Sequence, residues 1–291
     1  MNKNNYKMVL VKSKSADNGA ALNIVTVVKD DLEALKRTEL SLKMQTIPVS
    51  WQIVTPCDNS TTFQYVNELL NQNMVKSVVA DPGLGIYRAM NEAVSQTSND
   101  EWIWFINAGD ELADSNSYKN VDEICKVTSS RWLYGGHYLG SDAGKILGQV
   151  QSPLKFRPSS QLFAKEYVSH QSTIFHSSLL KELGGFRSSL KIAADWDLMV
   201  RAYQRDPGHR LEMPISIFYM GGLSTVSRQT GNFELLRLRK EHLGPKYFLK
   251  NYAWFVYRVI RNILVQSIES KFPAVANKIR KIRFMTRSLN Q

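Results

Sequence analysis

The sequence predicts an α/β fold in which a mostly parallel sheet is flanked by helices. Short β-branched or aromatic runs alternate with amphipathic helical patterns from about Leu22 onward, and this alternation is typical of parallel sheets. Polar and acidic clusters follow several of the predicted strands, and ligands of open α/β sheets bind at those carboxyl ends. We therefore expect an α/β sandwich with a ligand site along one edge of its sheet.

The first half of the chain contains four strand patterns separated by helical patterns. The predicted strands cover 24–28, 51–55, 77–80 and 101–106. Asp30 or Asp31 could cap the first helix, and the apolar residues of the three helices recur at helical spacing. The polar clusters that follow the strands are Asp58-Asn59-Ser60, Asp81 and the turn from Asn107 to Asp110.

The second half of the chain is less regular. We expect a strand over 131–139, a short helix over 177–183 that ends at two glycines, and a strand over 213–220. Residues 195–205 predict a helix with acidic residues in its first turn, where the helix dipole favours them. His170-Gln171 precedes a segment, Ser172-Thr173, that we interpret as another helix start.

Composition and charge narrow the class of protein. The chain has 291 residues, of which 43% are hydrophobic and 22% charged, and only two are cysteines. These values exclude a disordered chain, a collagen-like fibre and a disulfide scaffold, and they favour a reducing, cytoplasmic compartment. The first residues lack the apolar core of an export signal, and no run of about 18 apolar residues is present.

The positive charge is concentrated at the carboxyl end. The net charge is +11, and residues 245–291 contribute +9 of it because they contain ten basic side chains and a single acidic one, Glu269. This basic tail also has an apolar helical face, which is typical of a helix that lies on an anionic membrane surface. The alternative is a helix packed on the body with a solvated basic face. The apolar residues are Tyr252, Trp254, Phe255, Val256, Val259, Ile260, Ile263 and Leu264.

Several common catalytic motifs are absent. The sequence has no phosphate-binding P-loop, no serine-hydrolase elbow and no zinc-type spacing of its five histidines.

What remains are carboxylates near strand or helix ends. Asp110 could bind Mg²⁺ or Mn²⁺ together with substrate phosphates, or it could simply close a turn. Asp195 or Asp197 could be a general base while the other holds a helix start or a basic partner, or both could only cap the helix. His170 could be structural, and Asp58 could form only an Asx-turn.

Taken together, these segments resemble one family. The chain looks like a family 2 glycosyltransferase with the GT-A fold, of the type that builds bacterial surface polysaccharides such as colanic acid, capsule and O-antigen. The similarity runs from about Asn23 to Ser227. The matching segments, in order, are Asn23-Ile-Val-Thr-Val-Val28 with Leu35-Lys-Arg-Thr38, Asp81-Pro-Gly-Leu-Gly-Ile-Tyr-Arg-Ala-Met-Asn91, Phe105-Ile-Asn-Ala-Gly-Asp-Glu-Leu112, His170-Gln171, Gly184-Gly185-Phe186 and Ala193-Ala-Asp-Trp-Asp197.

The resemblance implies roles for individual residues. Asp195 would be the catalytic base, and Asp110 would hold Mn²⁺ or Mg²⁺ on the donor diphosphate. His170, Gln171 and Trp196 would lie near the junction of donor and acceptor. The residues implied in nucleotide or donor binding are Thr26, Val28, Asp58, Asp81, Arg88 and Asn107.

One departure from the family pattern concerns the metal site. Many relatives have aspartates where Asn107 and Gly109 stand here. Because Asn107 is neutral, it cannot add charge to a metal site, and Asp110 would then carry most of that task. The amide of Asn107 could still contact the sugar nucleotide.

The resemblance implies a hexosyltransferase that inverts the anomeric configuration of the sugar it transfers. The expected donor is a nucleotide-diphosphate sugar, with UDP as the nucleotide, and the expected acceptor is a lipid-linked or oligosaccharide hydroxyl. The implied domains are a lead segment (1–21), a GT-A catalytic domain (22–244) and the basic tail (245–291). We expect a cytoplasmic protein, peripheral on the inner face of the cell membrane, that binds no nucleic acid. Alternatives are a nucleotidyltransferase or a basic polyanion-binding protein.

Overall fold

A computed structural model describes residues 10–11, 21–141, 144–158, 168–219 and 228–244, together with short helical pieces between 252 and 271. The described residues form a sheet of ten strands with helices on its faces. The strands are β1 (Leu10–Val11), β2 (Ala21–Val27), β3 (Ser50–Thr55), β4 (Ser77–Ala80), β5 (Glu101–Phe105), β6 (Glu111–Leu112), β7 (Trp132–Gly140), β8 (Ile146–Val150), β9 (Thr173–His176) and β10 (His209–Tyr219).

Among the described residues, helices and a 3₁₀ turn connect these strands. The 3₁₀ turn covers His170–Ser172 and leads directly into β9. The helices are α1 (Leu32–Lys43), α2 (Thr61–Asn71), α3 (Ile86–Ser95), α4 (Ser117–Val127), α5 (Ser177–Glu182), α6 (Ala194–Tyr203) and α7 (Arg228–Leu243).

The strand order is β1-β4-β3-β2-β5-β9-β7-β10-β6, with β8 paired to β7. Strands β4, β3, β2 and β5 are parallel, as are β7 and β10, whereas β9 is antiparallel between β5 and β7. The chain moves from β2 outward to β4 and then returns to the other side of β2 as β5. This change of direction places a topological switch point between β2 and β5, where open α/β sheets bind ligands.

Apolar side chains of β2 alternate between two cores, one on each face of the sheet. Val25 and Val27 pack in the core that contains residues of α3, α5 and α6. Leu22 and Ile24 point to the other face and pack with residues of α1, α2 and α4. The prediction of a mixed α/β fold with a mostly parallel central sheet is therefore confirmed.

The helix caps distinguish between the sequence alternatives. Asp31, rather than Asp30, caps α1 by accepting a hydrogen bond of 3.0 Å from the Ala34 amide. Asp58 forms an Asx-turn by accepting from the Ser60 amide at 2.9 Å, and Ser60 in turn caps α2. The strand and helix bounds otherwise lie within a few residues of the predicted ones, except that β10 begins at His209. The predicted end of that strand, Met220, lies outside the described residues.

One local prediction was wrong. Ser172-Thr173 does not start a helix: Ser172 ends the 3₁₀ turn, and β9 begins at Thr173. The physical reason is that the β-branched and aromatic residues from Thr173 to Phe175 favour a strand and pair with both β5 and β7. Five further elements were not predicted from the sequence: β1, β6, β8, α4 and α7.

Much of the basic tail lies outside the described residues. Its described residues are helical, and several of its apolar side chains are exposed. Those exposed side chains are Tyr252, Tyr257, Ile260, Ile263 and Leu264, each more than half accessible to solvent. Within the described part of the chain, no helix is both long enough and apolar enough to cross a membrane.

Candidate functional site

The turn after β5 lies at the switch point and carries the predicted metal ligand. Ala108 donates to the Val27 carbonyl at 3.3 Å, which joins this turn to the end of β2. Gly109 has a φ of 95°, a conformation that favours glycine over residues with a side chain. Its amide donates to the Ala34 carbonyl and to the Thr38 hydroxyl, both at 3.0 Å. The turn is thus fixed against α1, and an aspartate in place of Gly109 would be strained.

Asp110 is buried at the end of this turn. One carboxylate oxygen accepts a hydrogen bond of 2.8 Å from Nε2 of Gln171, so two sequence-predicted site residues are in direct contact. Burial raises the pKa of Asp110 to about 7, although the hydrogen bond from Gln171, the amide of Tyr219 and the charge of Arg37 oppose the rise. Asp110 therefore exchanges a proton near neutral pH.

Three buried polar atoms in the predicted site have no hydrogen-bond partner among the described residues. They are Oδ1 of Asn107, Nε2 of His170 and Nε1 of Trp196. Most buried polar groups are paired, because leaving one unpaired costs about 1–3 kcal/mol. These atoms are consequently available to hydrogen-bond a ligand.

His170 lies between aromatic rings. Its imidazole stacks on Phe105 with 5.6 Å between ring centroids and meets Phe186 edge-on at 5.7 Å. Burial lowers the pKa of His170 to about 4, so the ring is neutral at physiological pH. A neutral imidazole can donate or accept one hydrogen bond at Nε2, but it supplies no positive charge.

The two aspartates of α6 have different environments. The Asp195 carboxylate is partly buried and accepts a hydrogen bond of 2.7 Å from the Trp196 amide. Burial, together with the negative charge of Glu234, raises the pKa of Asp195 to about 6, although backbone hydrogen bonds oppose the rise. A carboxylate with this pKa is ionised at neutral pH and is a stronger base than an ordinary aspartate.

Asp197, in contrast, is fully buried among basic groups. It contacts Arg201 at 2.8 Å, His242 at 2.8 Å and Arg187 at 3.4 Å. Although burial alone would raise the pKa of Asp197, the hydrogen bond from His242 and the two guanidinium charges hold it below its ordinary value. Asp197 is thus the member of the pair that holds basic partners.

The long motif from Asp81 to Asn91 supports the site through its helix. Asn91 forms two hydrogen bonds of 2.8 Å with the backbone amide and carbonyl of Phe186. Gly185 has a φ of 69°, and a Cβ there would overlap the Asn91 side chain. The Tyr87 hydroxyl donates to the Ile192 carbonyl at 2.7 Å. Helix α3 therefore fixes the segment that leads to Asp195.

Of the remaining residues predicted to bind the donor, two are buried and three are exposed or half-buried. Thr26 is fully buried; its hydroxyl donates to Ile106 at 2.7 Å and accepts from Trp51 at 2.9 Å. Its side chain therefore lies in the core, where both hydrogen bonds of its hydroxyl are made within the protein. Val28 is also buried, directly after β2. The other three, Asp58, Asp81 and Arg88, lie exposed or half-buried after β3, after β4 and on the first turn of α3.

The candidate metal ligands are compatible with a divalent cation that also binds substrate phosphates. Among the described residues, no cluster of three or more His, Cys, Asp or Glu could hold a metal ion by itself. Asp110 and the unpartnered oxygen of Asn107 lie on one turn. Mg²⁺ and Mn²⁺ favour oxygen ligands, and Mg²⁺ often takes one or two carboxylates plus phosphate oxygens. These residues therefore fit such an ion in the presence of a diphosphate.

One residue of this region was not predicted. Glu234 of α7 accepts hydrogen bonds from the backbone of residues 191–193, immediately before α6. No local pattern could have indicated it, since the partners are 41 to 43 positions away in sequence.

The chain is similar to known glycosyltransferases in sequence. It is 25% identical to an uncharacterised glycosyltransferase of Mycobacterium tuberculosis over 186 residues, which cover 62% of this chain and 68% of the relative. It is 24% identical to a PGL/p-HBAD biosynthesis glycosyltransferase of Mycobacterium bovis over 42% of this chain and 45% of the relative. No protein-family model matches the sequence.

Solved structures share its fold. TarS from S. aureus, crystallised with UDP, aligns with a TM-score of 0.57 and 18% identity over 75% of this chain and 64% of TarS. The mannosyltransferase PcManGT from Pyrobaculum calidifontis, in complex with GDP-Man and Mn²⁺, aligns with a TM-score of 0.58 and 11% identity over 94% of this chain and 82% of its own. The predicted GT-A fold class is thereby confirmed, and the sequence relatives support a transferase enzyme of the glycosyltransferase type.

Proposed function

We propose that this protein is an inverting glycosyltransferase that moves a sugar from a nucleotide-diphosphate sugar to an acceptor hydroxyl. The observation that carries the proposal is the set of unpartnered buried atoms on Asn107, His170 and Trp196. Each lies in a segment that resembles family 2 glycosyltransferases, and each is free to bind donor or acceptor.

Asp195 is the general base in this proposal. Its carboxylate takes the proton from the acceptor hydroxyl while that oxygen attacks the anomeric carbon of the donor sugar. The bond between the anomeric carbon and the diphosphate breaks, and the nucleoside diphosphate leaves with the bonding electrons. Because attack and departure occur on opposite faces, the anomeric configuration inverts. The pKa of about 6 for Asp195 suits a base that acts near neutral pH.

Asp110 and Asn107 are proposed to face the diphosphate. Asp110 would hold Mn²⁺ or Mg²⁺, which offsets negative charge on the departing diphosphate. Structures of two glycosyltransferases with this fold contain Mn²⁺ together with a nucleotide or nucleotide sugar, which supports a metal here. Asp58, Asp81 and Arg88 are proposed to contact the nucleotide or the donor sugar.

We propose UDP as the nucleotide. TarS binds UDP and UDP-GlcNAc. Glucosyl-3-phosphoglycerate synthase from Mycobacterium tuberculosis, which aligns with this chain at a TM-score of 0.50, binds UDP together with Mn²⁺. PcManGT binds GDP-Man instead, so the test must include both nucleotides. A lipid-linked or oligosaccharide hydroxyl in surface polysaccharide synthesis is the proposed acceptor.

The basic tail is proposed to hold the enzyme at the cytoplasmic face of an anionic membrane. The net charge of +9 over residues 245–291 and the exposed apolar side chains of its described part support this location. A lipid-linked acceptor would then lie beside the site.

The experiment is a thermal-unfolding panel with UDP, GDP, CDP, ADP and dTDP, with and without Mn²⁺. A ligand at about 100 times its Kd stabilises the fold by about 2.7 kcal/mol. We expect UDP to raise the melting temperature only with Mn²⁺. Product analysis with UDP-sugars then follows, since sugar transfer releases UDP, whereas nucleotidyl transfer releases pyrophosphate. No shift with any nucleotide, or release of pyrophosphate, would contradict the proposal.

A further inference from the structure

We infer that Glu234 of helix α7 is a positioning residue for the reaction: its carboxylate fixes the backbone from which α6, with Asp195 in its first turn, begins. This inference rests on the proposed role of Asp195. Glu234 hydrogen-bonds backbone amides in this region, so it acts on the reaction through the position of α6 and through its charge.

The Glu234 carboxylate accepts hydrogen bonds from three successive backbone amides. Oε1 accepts from Lys191 at 2.7 Å, and Oε2 accepts from Ile192 at 2.9 Å and from Ala193 at 3.0 Å. Ala193 is the N-cap residue of α6 and has no side chain that could cap the helix. A carboxylate at this position also stabilises the positive end of the helix dipole. Glu234 therefore fixes the backbone of residues 191–193, which leads into α6.

The same segment is held on its other side by α3. The Ile192 carbonyl accepts from the Tyr87 hydroxyl at 2.7 Å, while the Ile192 amide donates to Glu234 at 2.9 Å. One peptide segment is thus fixed between two helices, three residues before Asp195. Loss of the Glu234 carboxylate would leave three amides without a partner and free the entry to α6 on one side.

Other contacts join α7 to the body without touching this segment. Glu241 pairs with Arg187 at 2.7 Å, and His242 contacts Asp197 at 2.8 Å. Glu241 is exposed and lies on the same helix as Glu234. Substitution of Glu241 therefore provides a matched control for loss of a carboxylate on α7.

The charge of Glu234 also acts on Asp195. Burial is the main cause of the raised pKa of Asp195, and the negative charge of Glu234 adds to it. A neutral residue at 234 should consequently lower the pKa of Asp195 and weaken it as a base. The pKa of Asp195 is therefore a quantity that loss of a purely structural contact would leave unchanged.

The test compares Glu234→Ala, Glu234→Gln and Glu234→Asp with the control Glu241→Gln. In Glu234→Ala we expect the amides of residues 191–193 to exchange hydrogen at least about tenfold faster. Misplacement of Asp195 should lower kcat on the order of 10- to 100-fold, with the KM for donor within about twofold of wild type. Glu234→Asp should recover part of kcat, and Glu241→Gln should leave the exchange of these amides unchanged.

The titration of Asp195 separates positioning from mere support. In Glu234→Gln, the acidic limb of the pH dependence of kcat/KM and the carboxyl ¹³C titration of Asp195 should both move to lower pH, but not in Glu241→Gln. Unchanged amide exchange, or faster exchange with unchanged kcat and unchanged Asp195 titration, would overturn the inference. Absence of transfer by the wild-type protein would instead refute the proposed function, and amide exchange and ¹³C titration would still decide whether Glu234 acts on Asp195. If Glu234→Ala does not fold, Glu234→Gln carries the same comparison.

Discussion

Gln171 donates a hydrogen bond of 2.8 Å to the buried carboxylate of Asp110, 61 positions earlier in the sequence. This contact joins the turn after β5 to the 3₁₀ turn before β9, and it stabilises the ionised form of Asp110. Because burial acts in the opposite direction and raises the pKa to about 7, the charge of the proposed metal ligand depends on Gln171.

Replacing Gln171 should therefore change metal-dependent nucleotide binding in a pH-dependent way. Gln171→Leu removes the donor, so the pKa of Asp110 should rise above about 7. A hydrogen bond to a charged group contributes about 1.5–3 kcal/mol, so we expect at least about tenfold weaker UDP–Mn²⁺ binding at pH 6.5. Calorimetric titrations at pH 6.5 and 8.5 should show recovery at the higher pH. An equal loss at both pH values would contradict the prediction, and titrations without Mn²⁺ are the control.

Asp110→Asn should stabilise the folded protein at alkaline pH. The pKa of Asp110 is raised from about 3.9 in the unfolded chain to about 7 in the fold. The folded state therefore loses stability relative to the variant as pH rises from about 4 through about 7. We expect the variant to gain on the order of 1 kcal/mol or more at pH 8 and almost nothing at pH 4, measured by urea unfolding.

Asp58→Asn is the control for that measurement. Its exposed carboxylate has a lowered pKa because of the hydrogen bond with Ser60, so its removal should not stabilise the protein at pH 8. A gain of stability for Asp58→Asn similar to that for Asp110→Asn would show that the effect does not come from burial.

Asp195→Asn should abolish transfer but keep donor binding. The amide cannot accept the acceptor's proton, and general-base catalysis is typically worth about 10²–10⁴-fold. We expect kcat to fall by at least that factor while the UDP-induced thermal shift with Mn²⁺ stays within error of wild type. Near-normal turnover would assign the base to another residue.

Asp197→Asn should instead reduce stability. Asp197 is fully buried and pairs with Arg201, His242 and Arg187. Removing one partner of a buried ion pair leaves uncompensated charge and costs roughly 3–5 kcal/mol. Chemical unfolding at pH 7 measures this cost. Because the folded pKa is lowered, the loss should diminish as pH falls below about 4. A variant with wild-type stability would contradict the ion-pair role.

The contrast between Asp195 and Asp197 shows where sequence information ends. The motif Ala193-Ala-Asp-Trp-Asp197 predicts a helix with an acidic first turn, and α6 confirms it. The sequence leaves open which aspartate binds basic partners, since two of the three partners of Asp197 come from outside α6. Only tertiary packing distinguishes Asp197, which is buried among basic side chains, from Asp195, whose carboxylate accepts a hydrogen bond from the Trp196 amide.

The same limit applies to the sheet and to Asn91. Parallel strands β2 to β5 are predictable because each is a short apolar run, followed by a helical pattern after β2, β3 and β4 and by a polar turn after β5. The antiparallel strand β9 was missed because its pairing with β5 and β7 is non-local. Asn91 matches the family motif, but its two hydrogen bonds to Phe186 join residues 95 positions apart. A motif alone does not distinguish such a structural contact from a ligand contact.

Truncation after Gly244 should remove binding to anionic membranes. Residues 245–291 carry a net charge of +9, and each basic residue near an anionic surface contributes about 1 kcal/mol. We expect the full chain to sediment with vesicles that contain phosphatidylserine, less so in 1 M salt, where charges more than about 3 Å apart are screened. Phosphatidylcholine vesicles are the control for non-electrostatic binding.

The truncated protein should stay in solution but keep its UDP-dependent thermal shift, since α7 ends at Leu243. Arg258→Gln combined with Arg261→Gln should weaken binding without truncation. Unchanged sedimentation of the truncated protein would place the membrane contact, if one exists, on the body and return the tail to the alternative of a packed helix with a solvated basic face.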